Sequence, residues 1–367
     1  MKNLLANDLV IQEDNCNLSC RYCLTGQSTY KEGHLDKMIF QPPRKSDCAP
    51  GSTLRARIDR IIQTSTDRMN LPILKITGGE IFLVKGMMEM VEELSAHFAT
   101  LVVQTNGVLV TPNYLERLAA LGNICLQISL DGTSYEANAY RSNTRDLHTK
   151  IYSRLDAIFK FGIPTEIYCV LNNQSLPELA STLNDLKQYG EHLSVFPFPV
   201  RGPDSSQFQV TPEQISVLST IWEHYDDFQP VMPPRAYWQR LMRFYHEGGR
   251  NFSCHLPRFA FTTFDDGFVT SCPNIWFNKI GNMVTQETET VVESVGNTPF
   301  HQILLAPKPR LDACKGCFTP WDTLSMFMDH EITLDELCST PMYRASAVRQ
   351  RLQEIYSEYW ESKTCLV

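Results

Sequence analysis

The chain has 367 residues, a formal net charge of −8, 43% hydrophobic and 20% charged residues, and 12 cysteines. Such a length can bury a large core with a smaller second unit, and the acidic balance argues against extended binding to phosphate backbones, which rests on Lys and Arg. No apolar run approaches the roughly 20 residues of a membrane span, and the opening MKNLLANDLVIQ lacks the basic start and cleavage site of a secretory signal; a cytoplasmic protein is expected, with no membrane or nucleic-acid partner and with cysteines kept as thiols or metal ligands.

The first apolar run, Leu9 to Gln12, leads into Cys16-x3-Cys20-x2-Cys23. Iron-sulfur clusters are normally held by four thiolates, one per iron in the cubane form, so a loop offering three leaves one iron for an outside ligand. A zinc knuckle is the competing reading, but structural zinc takes four ligands in pairs, and a third cysteine in one loop fits that poorly. Gly26 to Ser52 follows, longer than an ordinary connection and without periodicity, as expected of a loop that binds or covers something beside a site. Further apolar runs lie at Leu71 to Thr77, Thr100 to Thr105, Asn123 to Leu130, Thr165 to Asn172 and Leu193 to Val200. They are short, β-branched and nearly continuous, the pattern of parallel strands covered on both faces.

Helical periodicity fills the gaps, as at Gly86 to Phe98 and Thr111 to Leu121, where Thr111 can cap and Pro112 suits the first turn. Six strands each followed by a helix, with right-handed crossovers, predict an α/β fold, a partial (β/α)6 TIM-type barrel. Chemistry in such sheets lies at the C-terminal strand ends. The second strand ends in Thr77-Gly78-Gly79-Glu80, the third in Gln104-Thr105-Asn106-Gly107 and the fourth in Ser129-Leu130-Asp131-Gly132. Paired glycines let a backbone approach a ligand closely. Asn106 and Asp131 also suit turns before glycine; their strand-end position favours a site.

Gly202 to Asn251 carries Pro230, Pro233 and Pro234, then Arg235, Tyr237, Trp238 and Arg240, which either face a polar substrate or pack a helix on the barrel. Beyond it, Cys254-x12-Gly267-x4-Cys272 encloses Asp265-Asp266-Gly267 between FAFTTF and FVTSC, which reads as a β-hairpin flanked by thiols. Cys314-x2-Cys317 completes a set of four. Zinc and iron-sulfur would accept these four sulfurs equally; the N-terminal loop tips the reading to iron-sulfur. The expected layout is residues 1–205 as the barrel, 206–250 as a helical linker and 251–367 as a small β-hairpin/α cluster-binding unit with C-terminal helices. Cys48, Cys125, Cys169, Cys338 and Cys365 remain; Cys125 reads as core, Cys365 as tail, and Cys338 as a possible cap in a longer cluster domain.

The three-cysteine loop, the Gly-Gly-Glu element and the strand ends resemble the radical S-adenosylmethionine (SAM) superfamily, and the second cysteine set resembles its shortened C-terminal twitch domain. The longer SPASM form has cysteines where Thr323 and Phe327 stand here. The resemblance implies a 4Fe-4S cluster on Cys16, Cys20 and Cys23 with SAM on the fourth iron, and an auxiliary 4Fe-4S cluster on Cys254, Cys272, Cys314 and Cys317. It places the Tyr22 backbone at the adenine, Gly78, Gly79 and Glu80 at the SAM amino group, Ser129 and Arg141 at its carboxylate or ribose, and Val170 with Leu171 against the adenine; Asn106 and Asp131 complete the cofactor site. Cys169, were it to face the barrel interior, could donate a hydrogen atom to a substrate radical.

A radical SAM oxidoreductase acting on a small sugar- or aminocyclitol-like molecule is the expectation, served by a flavodoxin- or ferredoxin-type electron donor. The early cysteine loop leaves no room before it for a peptide-recognition domain, and one auxiliary cluster resembles the aminocyclitol dehydrogenase type. The alternatives are a peptide maturase that crosslinks or epimerises, a redox-neutral epimerase, an activase of a partner protein, and a two-cluster electron carrier without a SAM pocket. Glu80, Asp131, Asp265 and Asp266 stand as acid or base candidates.

Overall fold

The computed structural model describes residues 3–364 except 13–14, 27–51, 143, 191 and 203–204. The long loop read at Gly26 to Ser52, with Cys48, and the tail residue Cys365 lie outside the described residues. Six parallel strands, β1 (Ala6–Ile11), β2 (Ile73–Gly78), β3 (Thr100–Thr105), β4 (Ile124–Ser129), β5 (Thr165–Leu171) and β6 (Leu193–Pro199), run in sequence order across the sheet. They are buried along their length because helices cover the outer face. Among these helices are α1 (Leu54–Gln63), α2 (Met87–Ser95), α3 (Pro112–Leu121), α4 (Arg145–Lys160) and α5 (Leu179–Leu186). The Thr111 hydroxyl accepts from the Tyr114 N–H at 3.3 Å, with Pro112 in the first turn, as the sequence predicts.

The hairpin strands are found at β7 (Ala260–Phe264) and β8 (Phe268–Cys272), followed by β9 (Ile275–Asn282). They belong to the barrel's own sheet. β1 pairs in parallel with β2 on one edge and with β7 on the other, giving the order β6-β5-β4-β3-β2-β1-β7-β8-β9. Without β7, the second edge of β1 would present a row of unpaired backbone groups. β6 and β9 stand at the two ends and do not pair, so the barrel is open.

One hydrophobic cluster runs from Leu4, just before β1, through the barrel helices to Ile355. A further helix, α6 (Arg235–His246), packs against the barrel. Tyr237 and Trp238 are fully buried in it, the Tyr237 hydroxyl donating to the Pro197 carbonyl and the Trp238 indole to that of Leu218. Arg240 is paired with Asp329 and Glu331. Of the two readings of this segment, packing is the one the structure realises. Among the described residues no helix is long and apolar enough to cross a membrane.

Candidate functional site

The C-terminal strand ends meet around a cavity of about 530 Å³, whose lining includes Cys16, Cys20, Cys23, Gly78, Gly79, Asn106, Ser129 and Arg141. A second cavity of about 190 Å³ adjoins it, sharing Cys20, Cys23, Ser129 and Arg141 and adding Tyr22, Tyr168, Val170, Phe198 and Arg201. Residues 120 positions apart in sequence are thus brought together by parallel strands that all end at one face. The cysteine loop is held from several sides. The Leu18 N–H points at the Cys16 Sγ at 3.4 Å, the Asn106 amide lies 3.9 Å from it, and an Arg141 nitrogen lies 4.0 Å from the Cys20 Sγ.

The two glycines line the cavity and also admit the chain's own backbone. A Cβ on Gly78 would lie 1.9 Å from the Ile11 carbonyl oxygen, and one on Gly79 would lie 2.1 Å from that of Asn15. The Gly79 N–H donates to the Gln12 carbonyl at 3.3 Å and the Glu80 N–H to that of Asn15 at 2.7 Å. They make room for the root of the cysteine loop itself. Gly79→Val is therefore expected to displace that loop, because backbone cannot give way as a side chain can; overpacking of this kind costs about 1–3 kcal/mol. Reconstituted Gly79→Val protein should lose the iron held by the first cysteine set, measured by iron and sulfide content; unchanged iron with weakened SAM binding would restore the ligand-approach reading.

Glu80 and Asp131 lie behind the wall and not on it. Glu80 is 1% exposed and accepts from the Thr105 hydroxyl (2.7 Å) and from the Asn106 and Phe82 N–H groups (2.8 and 3.2 Å). Burial pushes its pKa up, against the pull of these donors. Asp131 is fully buried and ties four elements together, accepting from the Tyr22 hydroxyl, from Arg141 Nη2 (3.1 Å) and from the Val170 N–H (3.2 Å). Its role is to aim Arg141 and Tyr22 at the cavity. Asp265 and Asp266 brace the β7–β8 turn, Asp265 Oδ2 accepting from the Gln12 N–H at 3.3 Å and Asp266 Oδ1 from that of Phe268 at 2.9 Å.

Cys169 is on the wrong face for a hydrogen donor. Side chains alternate along a strand, and Tyr168 and Val170 face the cavity, so Cys169 and Leu171 point to the helical layer. The Cys169 thiol is fully buried and reaches the Asp131 carbonyl at 3.3 Å. Cys125 is buried core, and Cys338 lies beside Arg349 and Asp335, outside either cysteine set.

Cys254, Cys272, Cys314 and Cys317 line one cavity, together with Arg250, Asn274 and Asp322. Burial pushes the thiols of Cys254 and Cys314 up, to about 11 and about 12, raises that of Cys272 as well, and pushes Cys20 in the other set to about 11. Thiolates are the ligands that iron-sulfur clusters take, and each set gathers its cysteines on one cavity, three on the larger one and four on this one, which is the donor chemistry such a cluster needs. Arg250 is fully enclosed here. Its Nε donates to the Cys317 carbonyl at 2.8 Å and its Nη2 to Asp322 Oδ2 at 2.7 Å, and that carboxylate also accepts from the Thr319 N–H at 2.9 Å. Thr323 and Phe327 are buried in the helix α7 (Asp322–Met328).

Arg201 joins the two regions: it lines the smaller cavity, and its Nη1 lies 3.1 Å from Asn274 Oδ1 and 3.9 Å from the Cys317 Sγ. Sequence reasoning passed over Arg201, Arg250 and Asp322. Arg201 follows the apolar run 193–200 directly, so the strand-end rule could have found it; nothing local marks the other two.

Residues 13–186 match the family model of the Radical SAM superfamily. The mycofactocin maturase MftC of Mycobacterium tuberculosis (strain ATCC 25618 / H37Rv) is 28% identical over 182 residues, 49% of this chain and 41% of that protein. The GTP 3',8-cyclase of Alkaliphilus oremlandii (strain OhILAs) is 26% identical over 154 residues, 41% of this chain and 42% of that protein. The aligned region spans less than half the length of these curated relatives. Among solved structures, anSMEcpe with bound AdoMet and Cp18Cys peptide superposes with a TM-score of 0.59 at 17% identity, covering 98% of this chain and 97% of that one. Streptococcus suis SuiB bound to its precursor peptide SuiA gives 0.56 at 16% identity, covering 94% and 76%. The likeness to these structures is one of fold.

Proposed function

With the Radical SAM superfamily supported by the match over residues 13–186 and by a fold shared with solved AdoMet-bound structures, we propose that this chain is a radical SAM oxidoreductase that removes two electrons from its substrate. Cys16, Cys20 and Cys23 would hold the 4Fe-4S cluster that the superfamily implies, with SAM in the adjoining cavity, and Cys254, Cys272, Cys314 and Cys317 would hold an auxiliary cluster. Bound there, these groups supply a 5'-deoxyadenosyl radical able to attack an unactivated carbon, and a one-electron acceptor.

The chain's own part is to bind, aim and keep water out. Arg141, fixed by Asp131, and Ser129 present donors to the SAM side of the cavity; Tyr168, Val170 and Phe198 give the substrate side an apolar wall that excludes water. The observation that carries the oxidative reading is the convergence of four thiols on one cavity, with Arg201 of the adjoining cavity reaching the Cys317 Sγ. Cys169, facing the helical layer, offers no support for a redox-neutral epimerase. Electrons for the first cluster would come from a flavodoxin- or ferredoxin-type donor.

A small polar molecule of sugar or aminocyclitol type remains the substrate proposed. Peptide maturation is the second reading, favoured by the similarity to a maturase and by the peptide-bound structures of like fold. Reduced, reconstituted protein mixed with SAM should release 5'-deoxyadenosine, and with its substrate should yield a product two hydrogens lighter, free of solvent deuterium. No 5'-deoxyadenosine would sink the radical reading; a product of unchanged mass that gains one deuterium in heavy water would replace oxidation by epimerisation.

A further inference from the structure

The geometry points to a second ligand site, for a small anion with an apolar body, a carboxylate or phosphate ester held by Arg258 in a cavity behind the four-cysteine site. This site stands apart from the radical chemistry and does not depend on it. The cavity measures about 190 Å³ and lies where the start of the chain, the helical turn Leu256–Arg258, the segment 296–305 and the C-terminal helix α8 (Ser346–Thr364) meet. Pro257 lines both this cavity and that of the four cysteines, and of two consecutive leucines Leu305 lines the first and Leu304 the second.

Arg258 supplies the positive charge of the lining. The three most buried arginines among the described residues, Arg141, Arg240 and Arg250, each have a carboxylate oxygen within 3.1 Å. Arg258 is half-buried and has no carboxylate partner among the described residues; its Nε is sealed in the protein without a hydrogen bond, and its guanidinium lies 4.5 Å from the centroid of the Tyr359 ring. Burial works against its charge. Lys363, one turn further along α8, reaches the same ring at 4.6 Å, so two like charges gather about one aromatic side chain. Glu358, the acidic residue among the described lining, is exposed and accepts from Asn3 Nδ2. A charge drawn out of water without a partner costs free energy, and an anion in the cavity supplies that partner. A guanidinium meets carboxylate and phosphate oxygens in bidentate fashion, with bonds stronger than neutral ones. The remaining wall sets the body of the ligand: Leu4, Pro257, Leu305 and Ile355 are apolar, and an apolar cavity of about 150 Å³ already accepts benzene. One ring with one anionic head fits both the space and the charge.

The test uses the full reconstituted chain and three probes of one shape, benzoate, phenyl phosphate and neutral benzyl alcohol, with binding read by titration calorimetry with and without SAM. Benzoate, phenyl phosphate or both should bind more tightly than benzyl alcohol, equally well when SAM is present. Arg258→Gln should weaken the anions by roughly tenfold to a hundredfold, and Arg258→Lys should recover part of the loss. Leu305→Trp, which fills the space and keeps the guanidinium, should weaken them as well. Without ligand, Arg258→Gln should melt no lower than the wild type, because the charge it removes has no partner to lose. Preference for benzoate identifies a carboxylate, and preference for the ester a phosphate. The proposal is overturned if the three probes bind alike, if neither anion binds at tens of millimolar, or if SAM displaces the anions, which would put them in the first cavity. It is equally overturned if Arg258→Gln leaves anion affinity unchanged while lowering the melting temperature, which would make Arg258 a packing residue on Tyr359.

Discussion

Protein in which Cys16, Cys20 and Cys23 are all alanine will carry about half the iron of the wild type after anaerobic reconstitution, about four atoms per chain instead of about eight, and will release no 5'-deoxyadenosine from SAM. The first number follows from the two sets being physically separate. The three-cysteine loop lines the large cavity, whereas Cys254, Cys272, Cys314 and Cys317 line their own. The complementary variant, with those four changed to alanine, should keep the iron of the first set and its SAM cleavage while losing substrate oxidation. Iron and sulfide analysis with quantified 5'-deoxyadenosine checks both. Stoichiometric zinc with no iron in the wild type would refute the cluster assignment at both sites.

Asp322→Ala is expected to cost roughly 3–5 kcal/mol of stability, because it strands the Arg250 charge in a wall where both partners are only 2% exposed. Burial works against that guanidinium, and the Asp322 carboxylate is the main influence that keeps it charged. That loss is a large share of the roughly 5–15 kcal/mol by which a folded protein is stable. Removing both charges together, as Arg250→Met with Asp322→Leu, should recover much of the loss, since a buried pair contributes little net once its desolvation is counted. Urea unfolding of metal-free protein measures both effects; equal destabilisation by the single and double variants would mean that the pair is not the cause.

The six parallel strands were legible because a strand covered on both faces reads as a continuous apolar run, and residues 100–105 are strand both by pattern and in the fold. The pairing of β7 with β1 was not, since nothing local in FAFTTF names a partner some 250 positions away. The glycines at 78 and 79 announce a close approach but not all that approaches, and the chain's own backbone at Ile11 and Asn15 lies against them beside the cavity. Glu80 and Asp131 illustrate a related limit: a carboxylate at a strand end is written identically whether it meets a ligand or, as here, backbone donors and neighbouring side chains. Cys169 turned on parity, because a run apolar on both faces hides which residues look inward, and the neighbouring Tyr168 and Val170 settle it. Both cysteine sets were legible as sets because spacing survives in sequence, while Arg250 and Asp322 come together only through the packing of separate segments.

β1 is an interior strand of the sheet although it precedes every other strand in the sequence. Its second ladder needs residues 260 to 264, and only then can Asp265 accept from the Gln12 N–H at the root of the cysteine loop. A ribosome thus emits β1 long before its second neighbour, and the nascent chain holds one side of β1 open until residues 260 to 264 have emerged. The root of the loop that carries Cys16, Cys20 and Cys23 therefore gains its Asp265 contact only after the hairpin has emerged.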